Sequence, residues 1–422
     1  MQEEFLHYIW QYQKVTTFSL KTVQGNQLQV VSVGELNTNS GPDFYNSRIV
    51  IGNQEWVGTV EIHLKASDWY VHKHQCDSAY NNVILHVVWE NDVAIFDVSQ
   101  NKIETLVLKD VVDKKLLFSY KNLLHKKNWI NCENQIHTID AFTLSFWKEK
   151  LLIQRLQRKA NELECRLLEA ENNWEALLYQ MLAKNFGLKI NASEFQLLAQ
   201  NISFGVFKKE LFNQFNLEAL LYGQSNLLEE SIQDSYYQSL QKEYLYLKQK
   251  YQLKDSLVNI QFFRLRPASF PTIRLSQFSM LYHNKKGLFS KVIAAKTVCD
   301  IHELFSVSAS EYWDEYYTFG NRSLKRKKRL SKSFIDLLIL NTIIPLKFMY
   351  AKSIGEENFE ELLQLYKLIN PEKNTILTNF KKLKLKLESS VDSQSLIELK
   401  TEYCNKQKCL QCEIGNKLLY HS

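Results

Sequence analysis

NTNSGPDFYNSRIVIGNQEWVGTVEIHLKASDWYVHKHQCDSAYNNVILHVVWEND, residues Asn37–Asp92, decides how the first part of this chain folds. Two runs rich in β-branched and aromatic residues, Phe44–Ile51 and Glu55–Leu64, flank the turn signal Gly52-Asn53 and read as paired strands. Asn82–Trp89 and Val93–Val98 read as two further strands joined by Glu90-Asn91-Asp92, and Gln27–Val33 reads as an earlier one. Phe5, Ile9 and Trp10 give Glu3–Gln13 one apolar side, which predicts an opening helix, and a second helix is expected at Val111–Leu124. The predicted architecture is α+β, with a mixed sheet.

Beyond Cys132 the apolar period changes to 3.6. Phe142–Glu169 carries Phe146, Leu151, Leu152, Leu156 and Leu167 on one side. Helical patterns continue through Trp174–Asn185, Phe207–Tyr222, Asp234–Gln252, Ser333–Tyr350, Glu356–Leu368 and Ser393–Tyr403, with Asn259–Pro271 as the long break. Residues 1–130 are therefore expected to form an α+β domain, and residues 131–422 a mostly helical one. Composition agrees: 422 residues hold only 12 Gly and 5 Pro, too few for a sandwich of many hairpins, and 13% aromatics to fill a core. Hydrophobic residues at 45% and charged residues at 23% exclude a disordered or fibrous chain. Seven cysteines are too sparse for a secreted disulfide framework. MQEEFLHYIW lacks a signal peptide's basic and apolar regions, and Phe334–Tyr350 is interrupted by Asp336, Asn341, Pro345 and Lys347. A cytoplasmic protein without a membrane anchor is expected.

The opening window also carries the chemistry. His63, His72, His74 and His86 fall in it with Asp43, Glu61, Asp68 and Asp77. Glu61 and His63 stand two apart on one predicted strand and share a face, and the hairpin brings Asp43 beside Glu61. Such carboxylates suit Mg²⁺ or Mn²⁺ and leave positions open for substrate phosphates, with His63 to orient or deprotonate the attacking water. A second constellation, His72, His74 and Asp77, fits Zn²⁺ or Fe²⁺ as a two-histidine, one-carboxylate site. The competing reading makes the Asp68–His74 stretch a hydrogen-bonded loop and His86 a satisfied core residue.

Cys404, Cys409 and Cys412 occupy nine residues and resemble thiolate ligands, with Cys132 as the candidate fourth. Zinc and an iron–sulfur cluster are both compatible with this spacing. Cys76, Cys165 and Cys299 stand alone and read as small buried hydrophobes. Two blocks lack acids. Ser256–Cys299 holds Arg264, Arg266 and Arg274 among interleaved Phe262, Phe263, Phe270 and Phe278, and Asn321–Phe334 holds Lys325–Arg329. Positive loops bind phosphates and exposed aromatics stack on bases, so DNA or RNA is the expected partner; the net charge of +6 alone carries no such information.

The order helix, strand, Pro42-Asp43, strand, Glu61-x-His63 resembles the PD-(D/E)XK nuclease superfamily, whose mixed sheet carries Asp on one strand and Glu-x-Lys on the next. The resemblance implies Asp43 and Glu61 as metal ligands. His63 stands where that superfamily has lysine, and a neutral imidazole supplies no permanent cation; Lys65 lies two residues along the same face. Some nucleases of this kind carry a cysteine-held cluster formed by one distant and three C-terminal cysteines. GPDF (Gly41–Phe44), VEIHLKASDW (Val60–Trp69), AYNNVILHVVW (Ala79–Trp89), RLRPASFPTIRL (Arg264–Leu275) and DSQSLIELKTEYCNKQKCLQCEIG (Asp392–Gly415) resemble a bacterial family, found largely in Bacteroidota, numbered domain of unknown function 2851. That family implies no activity. Expected functions are metal-dependent nucleic-acid cleavage or binding, then a metal hydrolase acting on another substrate, then a structural or interaction protein.

Overall fold

The computed structural model describes residues 1–422 except 17–18, 38, 125–127 and 421–422. It divides into two units. The first comprises residues 1–148 with 378–385 and 396–422, and the second residues 149–377 with 386–395. The C-terminal cysteine segment thus belongs with the N-terminal sheet, which corrects the expected simple split at residue 130.

Unit 1 opens with α1 (Glu3–Gln11), whose Phe5, Leu6, Ile9 and Trp10 are buried. Seven strands follow: β1 (Leu20–Lys21), β2 (Gln27–Ser32), β3 (Glu35–Leu36), β4 (Phe44–Ile51), β5 (Gln54–Lys65), β6 (Val83–Glu90) and β7 (Thr105–Val107). Their order in the sheet is β1-β2-β4-β5-β6-β7, with β3 also on β4. β2, β4 and β5 pair antiparallel, as hairpin turns allow, whereas β6 runs parallel to β5 and β7 parallel to β6. Parallel strands need a crossover. Between β5 and β6 it is made by α2 (Asp68–Val71) and two short 3₁₀ turns, His74–Cys76 and Ser78–Tyr80. The expected strand Val93–Val98 does not join the sheet. Asp97 instead accepts the backbone N–H groups of Ser99 and Asn101, a local turn that competes with ladder pairing.

Strand alternation separates two chemistries. Val60, Ile62, Leu85 and Val87 pack in the main core of unit 1 with Phe5, Ile9, Leu410 and Leu419. Glu61, His63 and His86 lie between them in sequence and point the other way, next to a smaller cluster of Trp69, Tyr80, Val88 and Ile95. Trp69 is 1% exposed and packs its ring against His74, Tyr80 and His86, clamping the crossover over the polar face.

Unit 2 is helical. The expected helix Phe207–Tyr222 is two, Phe204–Lys209 and Gln214–Gln224, because the Asn213 side chain accepts the N–H groups of Phe215 and Asn216 and starts a new one. Ser333–Tyr350 lies in a helix whose turn at Ile339–Ile343 widens ahead of Pro345. That helix, Lys332–Ser353, is long and apolar enough to cross a membrane by length and composition alone, and 72% of its most apolar window is buried inside the protein. Asn259–Pro271 is irregular, and Pro271 begins the helix Pro271–Asn284.

Removing the clamp has a defined cost. Trp69→Ala is expected to destabilise unit 1 by ~3–5 kcal/mol, the range for a buried large aromatic, measured by denaturant unfolding.

Candidate functional site

Gly41-Pro42-Asp43 sets the first ligand. Gly41 holds φ 103°, and a Cβ there would meet the Tyr45 hydroxyl at 2.5 Å. The chain then enters β4 through a bulge between Phe44 and Ser47, with Asn46 at φ 55°. Bulges re-aim side chains at strand ends. Here Asp43 is turned across to β5: its Oδ2 accepts the N–H of Ile62 at 2.9 Å, and its own N–H donates to Glu61 Oε2 at 3.2 Å. The hairpin does bring Asp43 and Glu61 together.

The other oxygen of Glu61 faces histidines. Oε1 lies 3.4 Å from His63 Nε2 and 3.3 Å from His74 Nε2. His63 Nε2 also meets His72 Nδ1 at 3.1 Å, and its Nδ1 meets His86 Nε2 at 2.8 Å. An imidazole chain thus runs from the buried His86 through His63 to the exposed His72. On the Asp43 side, His7 Nε2 of α1 stands 3.4 Å from Asp43 Oδ2, and Glu3, His7 and Asp43 form a second set of converging ligand atoms.

Burial governs the charges. Glu61 is pushed up to about 9, first by burial and then by the Asp43 carboxylate. His63 is pushed down to about 3, first by burial and then by its histidine neighbours, and burial also lowers His74 and His86. For His7, burial lowers the value, but Asp43 together with the Glu3 and Glu61 carboxylates outweighs it and the net shift is upward. Glu61 with His63 and His74 is therefore a neutral cluster and not a set of ion pairs, because charge on either side costs more than the short contact returns. A bound divalent cation reverses that preference by favouring carboxylate and neutral imidazole together.

The residues fit such an ion. Atoms around a zinc-sized cation at ~2.0–2.2 Å stand ~3.2–3.6 Å apart in a tetrahedron, and His63, His72 and His74 offer ligand atoms that all lie within 4.8 Å of one another, with Glu61 Oε1 3.4 Å from His63 and 3.3 Å from His74. Moreover, Nε2 of His74 and Nε2 of His7 are buried and make no hydrogen bond among the described residues, although carboxylate oxygens face both. Asp77 is not in this group; it is exposed and accepts the N–H of Ala79, so His63 is the third member beside His72 and His74. Asp68 caps the crossover by accepting the N–H of Lys65, whose side chain is exposed. His7 and Glu3 were not legible as site residues, since their helix shows only its apolar side as a signal.

Cys132, Cys404, Cys409 and Cys412 line one pocket of unit 1. Cys76, Cys165 and Cys299 are exposed and not the buried hydrophobes expected. In unit 2 the basic block divides. Arg264 and Arg266 are exposed, and Arg264 lies 5.1 Å from the ring of Phe263, itself 74% exposed. Arg274 is 6% exposed; its guanidinium lies 3.7 Å over the Phe334 ring and donates to Gln277 Oε1 at 3.0 Å, while burial lowers it to about 10. It is a core residue and not a phosphate contact, since Pro271 starts a helix that turns it inward. Phe278 is core as well, and Lys328 is buried with its ammonium on the Asp314 carbonyl.

The model of a family described as a protein of unknown function, DUF2851, matches residues 3–375, ending before the three C-terminal cysteines. No curated protein and no solved structure matches the chain.

The two arginine environments predict different outcomes. Arg274→Ala is expected to cost ~2–4 kcal/mol through lost packing and stacking. Arg264→Ala should stay within ~0.5 kcal/mol, both read from chemical denaturation.

Proposed function

The chain belongs to the DUF2851 family, and we propose that it is a metal-dependent hydrolase of phosphodiesters, with nucleic acid as the substrate class. One observation carries the reading: the Glu61 carboxyl is shared, with Oε2 on the Asp43 backbone N–H and Oε1 facing His63 and His74, while the Asp43 carboxylate is fixed on the next residue of β5, Ile62. His63, His72 and His74 would hold a cation on one side and Glu3, His7 and Asp43 on the other, with the Glu61 carboxyl reaching toward both. The oxygen ligands suit Mn²⁺ or Mg²⁺ and the nitrogens Zn²⁺ or Fe²⁺. The ion supplies electrophilic stabilisation of phosphoryl oxygens and an acidified water.

The chain's own groups do the rest. Asp43 is fixed by the Ile62 N–H, and His63 is oriented by His86 behind it, an outer partner that sets its tautomer. His72, exposed at the end of the imidazole chain, would hold the cation from its solvent side. The order helix, antiparallel β2-β4-β5 and parallel β6, with Asp43 and Glu61 on neighbouring strands, supports a nuclease-like centre. Exposed Arg264 and Arg266 beside exposed Phe263 support a nucleic-acid substrate through phosphate pairing and base stacking. A second reading, hydrolysis of a different substrate at the same centre, draws on the three-histidine group His63, His72 and His74.

Purified full-length protein should cleave single- or double-stranded oligonucleotides when Mn²⁺, Mg²⁺ or Zn²⁺ is added and stop when a chelator is present. Glu61→Ala and His63→Ala should each remove at least ~100-fold of the rate, and His86→Ala should weaken metal affinity by ~10–100-fold. Unchanged cleavage by Glu61→Ala sinks the site assignment. Hydrolysis of small phosphodiesters without any of oligonucleotides moves the substrate to the second reading.

A further inference from the structure

Four of the seven cysteines line one pocket, one of them from the middle of the chain and three from near residue 410. Cys132 follows the first helical segment after the sheet, and Cys404, Cys409 and Cys412 return at the C-terminus, all in unit 1. The pocket they line is closed by apolar side chains, Leu399 and Ile414 among them. Free thiols gain nothing from such company.

The surroundings are nevertheless arranged for sulfur anions. The Trp147 indole and the backbone of Ile414 and Gly415 lie beside Cys412. Cys409 Sγ accepts Asn131 Nδ2 at 3.3 Å. Lys400 favours charge on Cys404 and is held by the Trp129 carbonyl at 2.7 Å and over the Trp129 ring. The close approach of Gly415 to this pocket depends on its lacking a side chain: a Cβ there would sit 2.0 Å from the Cys409 carbonyl oxygen. A chain that needed only four small hydrophobes has no use for donors aimed at their sulfurs. Thiolates held by a metal do, because N–H groups on ligand sulfurs offset their negative charge.

We propose that Cys132, Cys404, Cys409 and Cys412 are the cysteinate ligands of a thiophilic metal centre, a zinc ion or an iron–sulfur cluster. It is independent of the Glu61 site and joins the C-terminal segment to residues 129–132 within unit 1. Its binding releases thiol protons and contributes directly to folding free energy.

The test uses the protein carrying Glu61→Ala with His72→Ala, which leaves neither the Glu61 carboxyl nor the three-histidine group intact, purified with and without oxygen, and counts at the sulfur site the metal that is lost on adding Cys409→Ser. Elemental analysis should find about one zinc per chain, or iron with matching acid-labile sulfide and broad visible absorption. Either result supports the proposal and identifies the metal. A mercurial titration should release the metal as the four pocket thiols react, whereas the exposed Cys76, Cys165 and Cys299 react first without release. Cys132→Ser and Cys409→Ser should lose the metal and Cys165→Ser should keep it; if the first two do not fold, alkylation mapping of the metal-loaded protein must show the four thiols protected and the other three labelled. Protein purified anaerobically that holds no stoichiometric metal, and takes up none on reconstitution with Zn²⁺ or with iron and sulfide, overturns the assignment. So does metal retained by Cys132→Ser or Cys409→Ser.

Discussion

Glu61 is a carboxyl group 4% exposed in the middle of a β-strand, and much of unit 1 is arranged around that fact. An isolated buried carboxylate costs several kcal/mol even after relaxation, so it must be protonated, hydrogen-bonded or neutralised by a cation. The Asp43 amide supplies one hydrogen bond. Asp43 also brings a second carboxylate into the same space, which makes the protonated form of Glu61 still more favourable and a divalent cation more favourable again. The β4 bulge, the Gly41 turn and the clamp made by Trp69 are the means by which backbone and crossover hold these groups in contact.

The strand pattern was legible because alternation is local: Phe44–Ile51, Glu55–Leu64 and Asn82–Trp89 needed only period-two apolarity and turn residues, and each is present within a residue or two. The meeting of Asp43 with Glu61 followed from the hairpin alone. Nothing local could place His7 on Asp43, because that contact depends on where α1 packs. Likewise Asp77 looked as good a ligand as His63 by spacing, yet its side chain is used by the backbone of the next turn. Short polar residues compete in this way wherever the chain turns, and Asp97 and Asn213 cost a strand and a continuous helix for the same reason.

The basic block of unit 2 shows how charge in a sequence divides on folding. Arg264, Arg266 and Arg274 read alike as cations without acidic neighbours. Pro267 and Pro271 separate them physically: before Pro271 the chain is irregular and its arginines are in solvent, and after it a helix carries Arg274 into an aromatic core. A guanidinium stacked on Phe334 is a packing element, since Arg is weakly hydrated and planar enough to serve as one. Only the irregular half keeps its charge available for a polyanion.

The return of residues 396–422 to unit 1 has a consequence for the order in which the protein is made. Leu410 and Leu419 belong to the same core as Phe5 and Ile9, so the N-terminal unit lacks part of its interior until residues 396–422 have been made. Roughly 250 residues separate the two pieces, a delay of ~12–50 s at ~5–20 residues per second. Unit 2 emerges whole in that interval while its predecessor waits with apolar surface uncovered. The core of the sheet is thus completed after unit 2 although the sheet is synthesised first, and the emergence of residues 396–422 sets when the Glu61 site acquires its finished support.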